Sequence, residues 1–447
     1  MQAGGGQRPT MQRRAVVSST LGSALEWFDF ATYGALSATL LPTLFFSGHG
    51  DTGALLQSFA TFGVGFAARP LGAIAFGYLG DRFGRRPILL ATFMTMGISS
   101  MVIGLLPTGR GVQIAAVLVA MRFLQGFALG GESTGSQLMT MEHAAVGRRG
   151  IFGALMNAGS PLSQVIANLA LVLLVSVLSE EQWMSWGWRV LFLASILLVA
   201  TGVYIRLKLD ETPAFVSHLE NPRPAARDER AVKQNGLRVL VTQPRTIVQL
   251  VLAWAAPSVT FYLIATYGLN YLTQHGATTG VSFTILLVGN GVSLVFGLLG
   301  GWLSDRIGRK PVLLIGHLGM IAGSLAFFPV AGAGLVVPSM LAVAVTLSAV
   351  QFSFGAQAAM FAEQFPTPTR FSGSALSLNL ATLIFAAPAP FAAAALTDVG
   401  GTGTVVWGTF GIQVISVLAL LTVKGDRRNI DLATFTSVDH PEPTTAP

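Results

Sequence analysis

Long apolar runs alternate along the chain with short polar segments. Twelve of these runs have roughly the 20 residues or more that an α-helix needs to cross a lipid bilayer. The pattern therefore predicts an all-α membrane protein with twelve transmembrane helices. The predicted helices occupy residues 16–46, 55–79, 88–106, 112–140, 151–178, 188–208, 246–273, 280–303, 312–331, 335–361, 371–397 and 402–424.

The twelve runs form two groups of six. A polar segment with several charges and prolines separates the two groups. This division predicts four parts, because a polar segment that contains prolines cannot bury enough apolar surface to fold. They are an N-terminal six-helix bundle at 1–208, a cytoplasmic linker at 209–245, a C-terminal six-helix bundle at 246–424 and a disordered cytoplasmic tail at 425–447.

Composition agrees with this class and argues against others. Only 11% of the residues are charged, against about 25% in soluble proteins, and the mean hydropathy is +0.63. The net charge of +7 comes from basic residues in short turns rather than on one face, so we expect no nucleic-acid partner. The chain has no cysteine, no Walker phosphate-binding sequence and no histidines at metal-ligand spacing. We therefore expect no thiol chemistry, no ATP-driven transport, no enzyme activity and no cofactor.

The distribution of Lys and Arg predicts the orientation in the membrane. Of the 27 Lys and Arg residues, 23 fall in the polar segments on the side of the N-terminus, and two fall near the opposite ends of the helices. Positive residues concentrate on the cytoplasmic side of membrane proteins. The asymmetry predicts a multi-pass protein of a bacterial-type inner membrane with both termini in the cytoplasm.

One charged turn occurs twice. It reads Gly77-Tyr-Leu-Gly-Asp-Arg-Phe-Gly-Arg-Arg-Pro87 in the first half and Gly301-Trp-Leu-Ser-Asp-Arg-Ile-Gly-Arg-Lys-Pro311 in the second. Asp81 and Asp305 hold the same place in the two copies, about half the chain apart. So many cations are costly in hydrocarbon and stable at an anionic cytoplasmic surface. The repeat indicates two similar halves whose repeated turns face the cytoplasm.

Glycines and prolines inside the runs predict local packing. The pairs Gly126 with Gly130 and Gly297 with Gly301 offer small faces for close helix contact, although glycine is common in membrane helices in any case. Pro257, Pro388 and Pro390 predict kinks with freed carbonyl groups, which act either as hinges or only in packing.

The repeated turn resembles the signature between helices 2 and 3 of the major facilitator superfamily. Three first-half stretches are similar to its metabolite:proton symporter family, and Glu363-Gln-Phe-Pro366 with Arg370 also fits. These stretches are Glu26-Trp-Phe-Asp29-Phe, Phe66-Ala-Ala-Arg69-Pro70 and Arg122-Phe-Leu-Gln125-Gly-Phe-Ala-Leu-Gly130-Gly-Glu132. The resemblance implies transport of small organic acids or zwitterions such as α-ketoglutarate, citrate, shikimate, proline or betaine. The tail lacks the charged coiled coil of the proline/betaine branch, which disfavours an osmosensing role.

Four ionisable residues fall near the middle of the predicted first-half helices, where charge is costly and usually functional. Arg69 and Arg122 are candidates to bind a substrate carboxylate, because guanidinium presents a planar fork of donors. Glu26 and Asp29 lie three residues apart on one helix face and are candidates to carry the coupled proton, because burial favours the protonated carboxyl. The alternative is that these charges only form internal ion pairs, and the two interpretations can coexist.

Other polar residues complete the candidate site. Glu132 either takes part in proton coupling or belongs to the inner gate. The second-half helices hold no charged residue at mid-depth, so their amides and phenols are the candidates there. We expect substrate contacts from Asn157 and Gln164 in the first half and from Tyr262 and Gln357 in the second. His317 is expected to be structural.

The resemblance also implies a gate on the cytoplasmic side. Glu142 and Arg149 are spaced as in the family's charge motif and are expected to pair with the first turn. The alternatives are that the basic residues only set topology and that the loop charges are solvated. The gating candidates are Asp81, Arg82, Arg85, Glu142, Arg149, Asp305, Arg306 and Arg309.

Together these features predict a secondary transporter that imports a small carboxylate or zwitterion with protons by alternating access. The proton gradient would supply the energy, the lipid bilayer would surround the protein, and a monomer would suffice. Three alternatives stay open: a proton-coupled exporter of drugs or metabolites, an importer of zwitterionic osmolytes such as proline or betaine, and a ligand-binding receptor that does not transport.

Overall fold

The computed structural model describes residues 27–46, 50–83, 85–109, 111–130, 141, 144–145, 147–196, 200, 239, 242–367, 369–425, 427–430 and 432. For residues 77, 78, 80–83, 85, 86 and 89 it describes the backbone alone. Within these ranges, 8 helical segments are long and apolar enough to cross a membrane, and Leu90–Leu105 is a shorter apolar helix. The predicted all-α membrane class is confirmed.

Twelve of the described helices follow the order of the twelve predicted runs. The first half of the bundle consists of α1 (27–39), α2 (Gly50–Phe83), α3 (Arg85–Leu105), α4 (Val112–Gly130), α5 (Arg149–Val177) and α6 (189–196). The second half consists of α7 (Pro244–Gln274), α8 (Thr279–Ile307), α9 (Arg309–Gly332), α10 (Val336–Gln364), α11 (370–400) and α12 (402–422). Residues 209–238 of the predicted linker lie outside the described part.

Irregular backbone interrupts the long helices of the second half at several points, including a π-helical turn, Leu263–Tyr267, in α7. Gly401 separates α11 from α12 with φ 71°, a left-handed conformation that glycine adopts without strain. A π-helical turn, Thr382–Ala386, precedes Pro388 in α11. In α7, the α-helix Pro244–Ala253 is followed by the non-helical residue Trp254, and the next α-helix, Ala255–Tyr262, contains Pro257. The predicted kinks at prolines therefore coincide with irregular backbone.

The kink in α7 is held by side chains of two other helices. Pro257 has no N–H to donate to the carbonyl of Ala253, four residues earlier. The hydroxyl of Ser416 in α12 donates to that carbonyl oxygen over 2.8 Å, and Nε2 of His317 in α9 lies 3.0 Å from it. Nδ1 of His317 contacts the carbonyl oxygen of Leu313 at 2.6 Å. His317 thus takes part in helix packing, as expected.

Glycines bring the helices of each half into backbone contact. A Cβ added to Gly126 would lie 1.8 Å from the carbonyl oxygen of Gly65, and one on Gly130 would lie 1.9 Å from that of Arg69. These two glycines therefore fix the crossing of α2 and α4, as their spacing predicts. Gly300 allows the same approach of α8 to α10, because its Cβ would lie 2.2 Å from the carbonyl oxygen of Phe352.

The two halves touch near both ends of the bundle. At one end, called here the Asp305 end, Gly150 of α5 packs on Gly301 of α8 so closely that a Cβ on Gly150 would lie 2.4 Å from the Gly301 carbonyl oxygen. At the opposite end, the amide of Asn270 in α7 donates to the carbonyl oxygen of Ala38 in α1 over 3.2 Å. The described contacts therefore close the bundle at both ends.

The start of the segment predicted to be a disordered tail packs against the Asp305 end. The carbonyl oxygen of Leu432 accepts hydrogen bonds from Arg370 and Thr367, each over 2.8 Å. Its side chain is 3% exposed and belongs to an apolar cluster with Met141 of the first half and Ala358, Ala359 and Ala362 of α10. Leu432 thus has packing partners within the segment 425–447, and the disorder of that segment as a whole stays a prediction. Residues 433–447 lie outside the described part.

Candidate functional site

Asp29 is buried in the first half and is bound by two serines. It is 2% exposed. Its Oδ2 accepts a hydrogen bond from the hydroxyl of Ser100 in α3, and its Oδ1 accepts one from that of Ser195 in α6, both over 2.5 Å. Hydroxyl donors on both oxygens stabilise a carboxylate that water does not reach. The contacts join three helices around one acidic side chain.

Arg122 is connected to Asp29 through two intermediate side chains. Its Nη1 donates to Oε1 of Gln125 over 2.9 Å, one turn along α4. Nε2 of Gln125 donates to the hydroxyl oxygen of Ser100 over 2.6 Å, and Ser100 donates to Asp29. Every donor in this chain points towards the carboxylate. The buried cation and the buried anion are thus coupled through hydrogen bonds rather than by a direct ion pair.

The other edge of the Arg122 guanidinium carries two donors that none of the described residues binds. Arg122 is fully buried. Its Nε and Nη2 have no hydrogen-bond partner among the described residues. These two N–H groups lie side by side and form the fork that matches the two oxygens of a carboxylate. Because buried donors without acceptors are costly, this edge is a candidate for ligand binding.

Aromatic rings surround both arginines. The guanidinium carbon of Arg122 lies 3.9 Å from the ring centre of Tyr33 and 4.5 Å from that of Phe30. The guanidinium carbon of Arg69 lies 4.4 Å from the same Phe30 ring and 4.6 Å from that of Phe66. Such faces stabilise a cation by a quadrupole interaction without satisfying its N–H groups. Arg69 and Arg122 therefore share the ring of Phe30, which follows Asp29 in the sequence.

The second half closes this group with another pair of rings. The Tyr262 ring of α7 lies 5.1 Å from Phe66 and 5.7 Å from Phe62, centre to centre, and 4.9 Å from its neighbour Phe261. Phe261 in turn meets Trp27 of α1 edge to face at 6.5 Å. Tyr262, a predicted substrate contact, is thus at the interface between the halves. It lies next to the arginine cage, the name used here for the rings of Phe30, Tyr33 and Phe66 around Arg69 and Arg122.

The predicted amides lie farther along that interface. Nδ2 of Asn157 in α5 donates to the carbonyl oxygen of Phe354 over 3.0 Å and contacts Oε1 of Gln357 at 3.5 Å. Asn157 and Gln357 are therefore brought together from opposite halves. Gln164 is buried one helical turn before Asn168, whose amide donates to its carbonyl oxygen over 2.7 Å. Glu26 and Glu132, the other proton-coupling candidates, lie outside the described residues.

Asp305 binds the beginning of a helix in the opposite half. Its Oδ1 accepts from the backbone N–H of Gly150 over 2.8 Å, and its Oδ2 accepts from that of Ile151 over 2.9 Å. The first N–H groups of a helix have no acceptor within the helix, and the helix dipole favours a negative charge there. Arg148, the residue before α5, does not cap these groups with its side chain. Asp305 thus supplies from α8 the cap that α5 lacks.

A buried ion cluster supports this contact. Arg309 binds Asp305 over 2.7 Å and Glu363 of α10 over 2.8 Å. Arg149 of the first half lies 3.9 Å from Glu363, and its Nη1 donates to the carbonyl oxygen of Ile430 over 2.7 Å. The cluster joins α5, α8, α9, α10 and the C-terminal segment at one end of the bundle.

The remaining gating candidates have different environments. The side chain of Arg306 lies against the ring of Trp302, with the guanidinium carbon 3.8 Å from the ring centre. This places Arg306 on the surface of α8 rather than in the ion cluster. Asp81 and Arg82 end α2 and Arg85 begins α3, but their side-chain contacts lie outside the described part, as does Glu142. The expected pairing of Arg149 with the first turn stays a prediction.

Sequence reasoning missed most of the uncharged members of the site. Gln125, Ser100 and Ser195 carry the hydrogen bonds around Asp29, and Phe30 and Tyr33 cover the arginines. Gln125 could have been found, because it follows Arg122 by three residues on the same helix face. The serines could not, since serine is common in membrane helices and the contact depends on the packing of α1 against α3 and α6.

The chain matches a known family over most of its length. The family model described as Major Facilitator Superfamily matches residues 20–389. The inner membrane metabolite transport protein YhjE of Escherichia coli (strain K12) is 34% identical over 422 residues, which cover 92% of this chain and 93% of that protein. The shikimate transporter of the same strain is 30% identical over 429 residues, which cover 93% of this chain and 95% of that protein. The proline/betaine transporter of Salmonella typhimurium is 32% identical and covers 92% and 82%.

Solved structures share the fold. The D-xylose-proton symporter structure has a TM-score of 0.73 at 19% identity and covers 96% of this chain and 99% of that one. The partially occluded inward open conformation of the xylose transporter XylE from E. coli has a TM-score of 0.70 at 18% identity and covers 92% and 96%. The fold, the family match and the relatives named as metabolite, shikimate and proline/betaine transporters agree with the resemblance seen in the repeated turn. The chain therefore belongs to the major facilitator superfamily and is a multi-pass membrane transporter.

Proposed function

We propose that this transporter imports a small organic acid together with protons by alternating access. One observation carries the proposal. The buried Arg122 presents a side-on fork of two N–H groups with no partner among the described residues, and its other edge is linked through Gln125 and Ser100 to the buried Asp29. One cluster thus offers an anion-binding group and a proton-binding group, and the charge on either group affects ligand binding at the other.

The substrate would bind through its carboxylate to Arg122. Two parallel N–H···O bonds suit the planar fork, and the rings of Tyr33 and Phe30 keep water away from the guanidinium. Arg69 also packs on the Phe30 ring and adds positive potential. Relatives named for shikimate and for metabolite transport support a small carboxylate as cargo. Tyr262, Asn157 and Gln357 are proposed to contact its remaining polar groups.

The proton would bind to Asp29. With the site empty, the Arg122 charge favours the ionised carboxylate. A substrate carboxylate on Arg122 offsets that charge and so favours protonation of Asp29. Substrate and proton then bind cooperatively, which is the condition for symport. Each proton that enters with a membrane potential of 100 mV supplies about 2.3 kcal/mol.

The contacts at the Asp305 end would form the inner gate. We assign this end to the cytoplasm because of the Lys and Arg distribution. Asp305 on the first N–H groups of α5, with Arg309, Glu363 and Arg149 beside it, holds the halves together there. These contacts must break before substrate can leave inward. A few kcal/mol are enough to shift such an equilibrium strongly.

A zwitterion is a second candidate cargo. The rings of Trp27, Phe261 and Tyr262 lie next to the arginine cage and could face a quaternary ammonium group while the carboxylate binds Arg122. Relatives named proline/betaine transporter support this alternative. Competition between glycine betaine and an organic acid at the same site would favour it, whereas binding of acids alone would reject it.

Uptake by purified protein in proteoliposomes tests the proposal. A panel of α-ketoglutarate, citrate, shikimate, proline and glycine betaine is first screened by thermal shift, and the stabilising compounds are then offered as labelled substrates. We expect uptake that follows an imposed inward proton gradient and that a protonophore abolishes. Asp29→Asn should lose the proton dependence. Flux only out of right-side-out vesicles would indicate an exporter, and binding without flux would indicate a receptor.

A further inference from the structure

Each serine bound to Asp29 has a second acceptor within reach. The hydroxyl of Ser100 lies 2.5 Å from Oδ2 of Asp29 and 3.1 Å from the carbonyl oxygen of Met96. The hydroxyl of Ser195 lies 2.5 Å from Oδ1 and 3.3 Å from the carbonyl oxygen of Leu191. A hydroxyl has one hydrogen and can donate to only one of the two. Each serine therefore has two hydrogen-bonding states.

The two states match the two protonation states of Asp29. An ionised carboxylate only accepts, so both serines donate to it. A protonated carboxyl must donate its own hydrogen, and a serine oxygen can accept that bond only if its hydrogen turns to another acceptor. The carbonyl oxygens of Met96 and Leu191 are those acceptors. No residue has to move far, because rotation about one C–O bond is enough.

We propose that Ser100 and Ser195 are positioning residues for proton coupling, which satisfy Asp29 in both its ionised and its protonated form. The inference rests on the proposed function, in which Asp29 carries the proton. A proton from the aqueous side forms one O–H bond on the carboxylate. That O–H donates to the adjacent serine oxygen, the serine hydrogen turns to the carbonyl oxygen four residues earlier, and no other covalent bond changes.

Gln125 gives the two serines different roles. Its amide donates to the Ser100 oxygen over 2.6 Å, which leaves the Ser100 hydrogen free to point at Asp29. Ser195 has no such contact among the described residues. Ser100 is therefore the serine that connects Asp29 to Arg122, and Ser195 is the one that turns most freely. The charged group that acts on Asp29 within the described part is Arg122, which in turn interacts with Arg69, Tyr33 and Tyr262.

The usual hydrogen bond of a serine within its own helix does not account for the contacts of Ser100 and Ser195 with Asp29. Serines in membrane helices commonly donate to the carbonyl oxygen one turn earlier. Ser99, the buried neighbour of Ser100, does this with Thr95 over 2.8 Å. Ser100 and Ser195 instead lie closer to the carboxylate than to those carbonyl oxygens. Ser99 therefore provides a matched control that keeps the helix, the burial and the residue type.

Infrared difference spectroscopy on the full-length protein reports the protonation of Asp29 without any substrate. The carbonyl band of the protonated carboxyl is followed as a function of pH, and Asp29→Asn identifies it by its loss. Each serine binds both forms of Asp29, but its bond to the ionised carboxylate is the stronger one because the acceptor is charged. Removing one serine hydroxyl should therefore raise the midpoint by about 1 pH unit in Ser100→Ala and in Ser195→Ala. Ser100→Thr, which keeps the hydroxyl, and Ser99→Ala should retain the wild-type midpoint.

The outcomes separate the two proposals. If the Asp29 band titrates in the wild type but its midpoint is unchanged in both alanine variants, the serine inference is wrong and the proposed function stands. If no band is lost in Asp29→Asn, Asp29 does not carry the proton and the proposed function itself loses its proton site. Should Ser100→Ala fail to fold, Ser195→Ala gives the same decision.

Discussion

Arg122 and Asp29 are both buried, lie on different helices and act on each other through Gln125 and Ser100. A direct ion pair would occupy both groups and would have to break before either could bind a ligand. The indirect connection instead leaves the outer edge of the guanidinium without a partner in the described part of the chain and keeps Asp29 under the influence of its charge. The same cluster can therefore respond to an anion on one side and to a proton on the other.

Replacing Arg122 by lysine tests the fork. Arg122→Lys keeps the positive charge next to Tyr33 and Phe30 but removes the two parallel donors. We expect the affinity for a carboxylate substrate to fall by at least about tenfold, because a point charge cannot form the bidentate pair. The thermal shift with the acid panel measures it. Arg306→Lys, on the exposed surface of α8, should bind as the wild type does, and unchanged affinity in Arg122→Lys would remove Arg122 from the binding site.

Neutralising Asp305 should weaken closure at its end of the bundle. Asp305→Asn loses the charge that caps α5 and that binds Arg309, a loss of about 1–2 kcal/mol. The fraction open at this end should rise about tenfold. The chain has no cysteine, so spin labels at Arg148→Cys and Ile307→Cys, both exposed, report the distance between the halves. An unchanged distance distribution would exclude a gating role. Asp81→Asn applies the same measurement to the first copy of the turn.

The contact of Gly150 with Gly301 predicts a steric route to the same opening. In Gly150→Ala the new methyl group would lie 2.4 Å from the Gly301 carbonyl oxygen, so α5 and α8 must separate. The labelled pair should show a longer distance while both helices stay folded. Gly291→Ala provides the control, because a Cβ on this α8 glycine has no atom within 4 Å. A wild-type distance in Gly150→Ala would mean that the halves tolerate the methyl group without opening.

Much of the fold follows from the sequence because membrane helices carry their own signal. Twenty apolar residues identify a span without any knowledge of its neighbours, and the Asp81 and Asp305 turns indicate the duplication. The charged site residues stand out for the same reason, since Asp29, Arg69 and Arg122 interrupt apolar runs. The partners of Asp29 do not stand out. Ser100 and Ser195 lie on separate helices, and only the packing of the bundle brings them to one carboxylate.

At the proposed gate, too, the sequence predicts the charged residue but not its partners. Asp305 is visible as a repeated acidic residue, but its partners are the backbone N–H groups of Gly150 and Ile151, which no side-chain pattern can reveal. Arg306 has the same charge as Arg309 and belongs to the same turn, yet it faces away from the ion cluster. Arg306 lies in the last turn of α8 and Arg309 begins α9, so the place of each residue in the packed helices, and not the residue type, decides which one enters the cluster.

Leu432 predicts a further contribution to closure at the Asp305 end. Its side chain belongs to one apolar cluster with Met141 of the first half and Ala358, Ala359 and Ala362 of the second, so the cluster includes residues of both moving parts. Burial of a leucine side chain contributes about 1.5–3 kcal/mol. Leu432→Asp removes that contribution and places a charge in an apolar cluster, whereas Asn429→Asp adds a similar charge at an exposed position of the same segment.

We expect Leu432→Asp to increase the open fraction by tenfold or more in the distance measurement. Asn429→Asp should show the wild-type open fraction. The physical reason is that the apolar cluster exists only while the halves are closed at this end. The melting temperature of both variants serves as the second reading. Lower thermal stability in Leu432→Asp without a change in the distance between the halves would mean that the segment stabilises the α10 end alone and does not control opening.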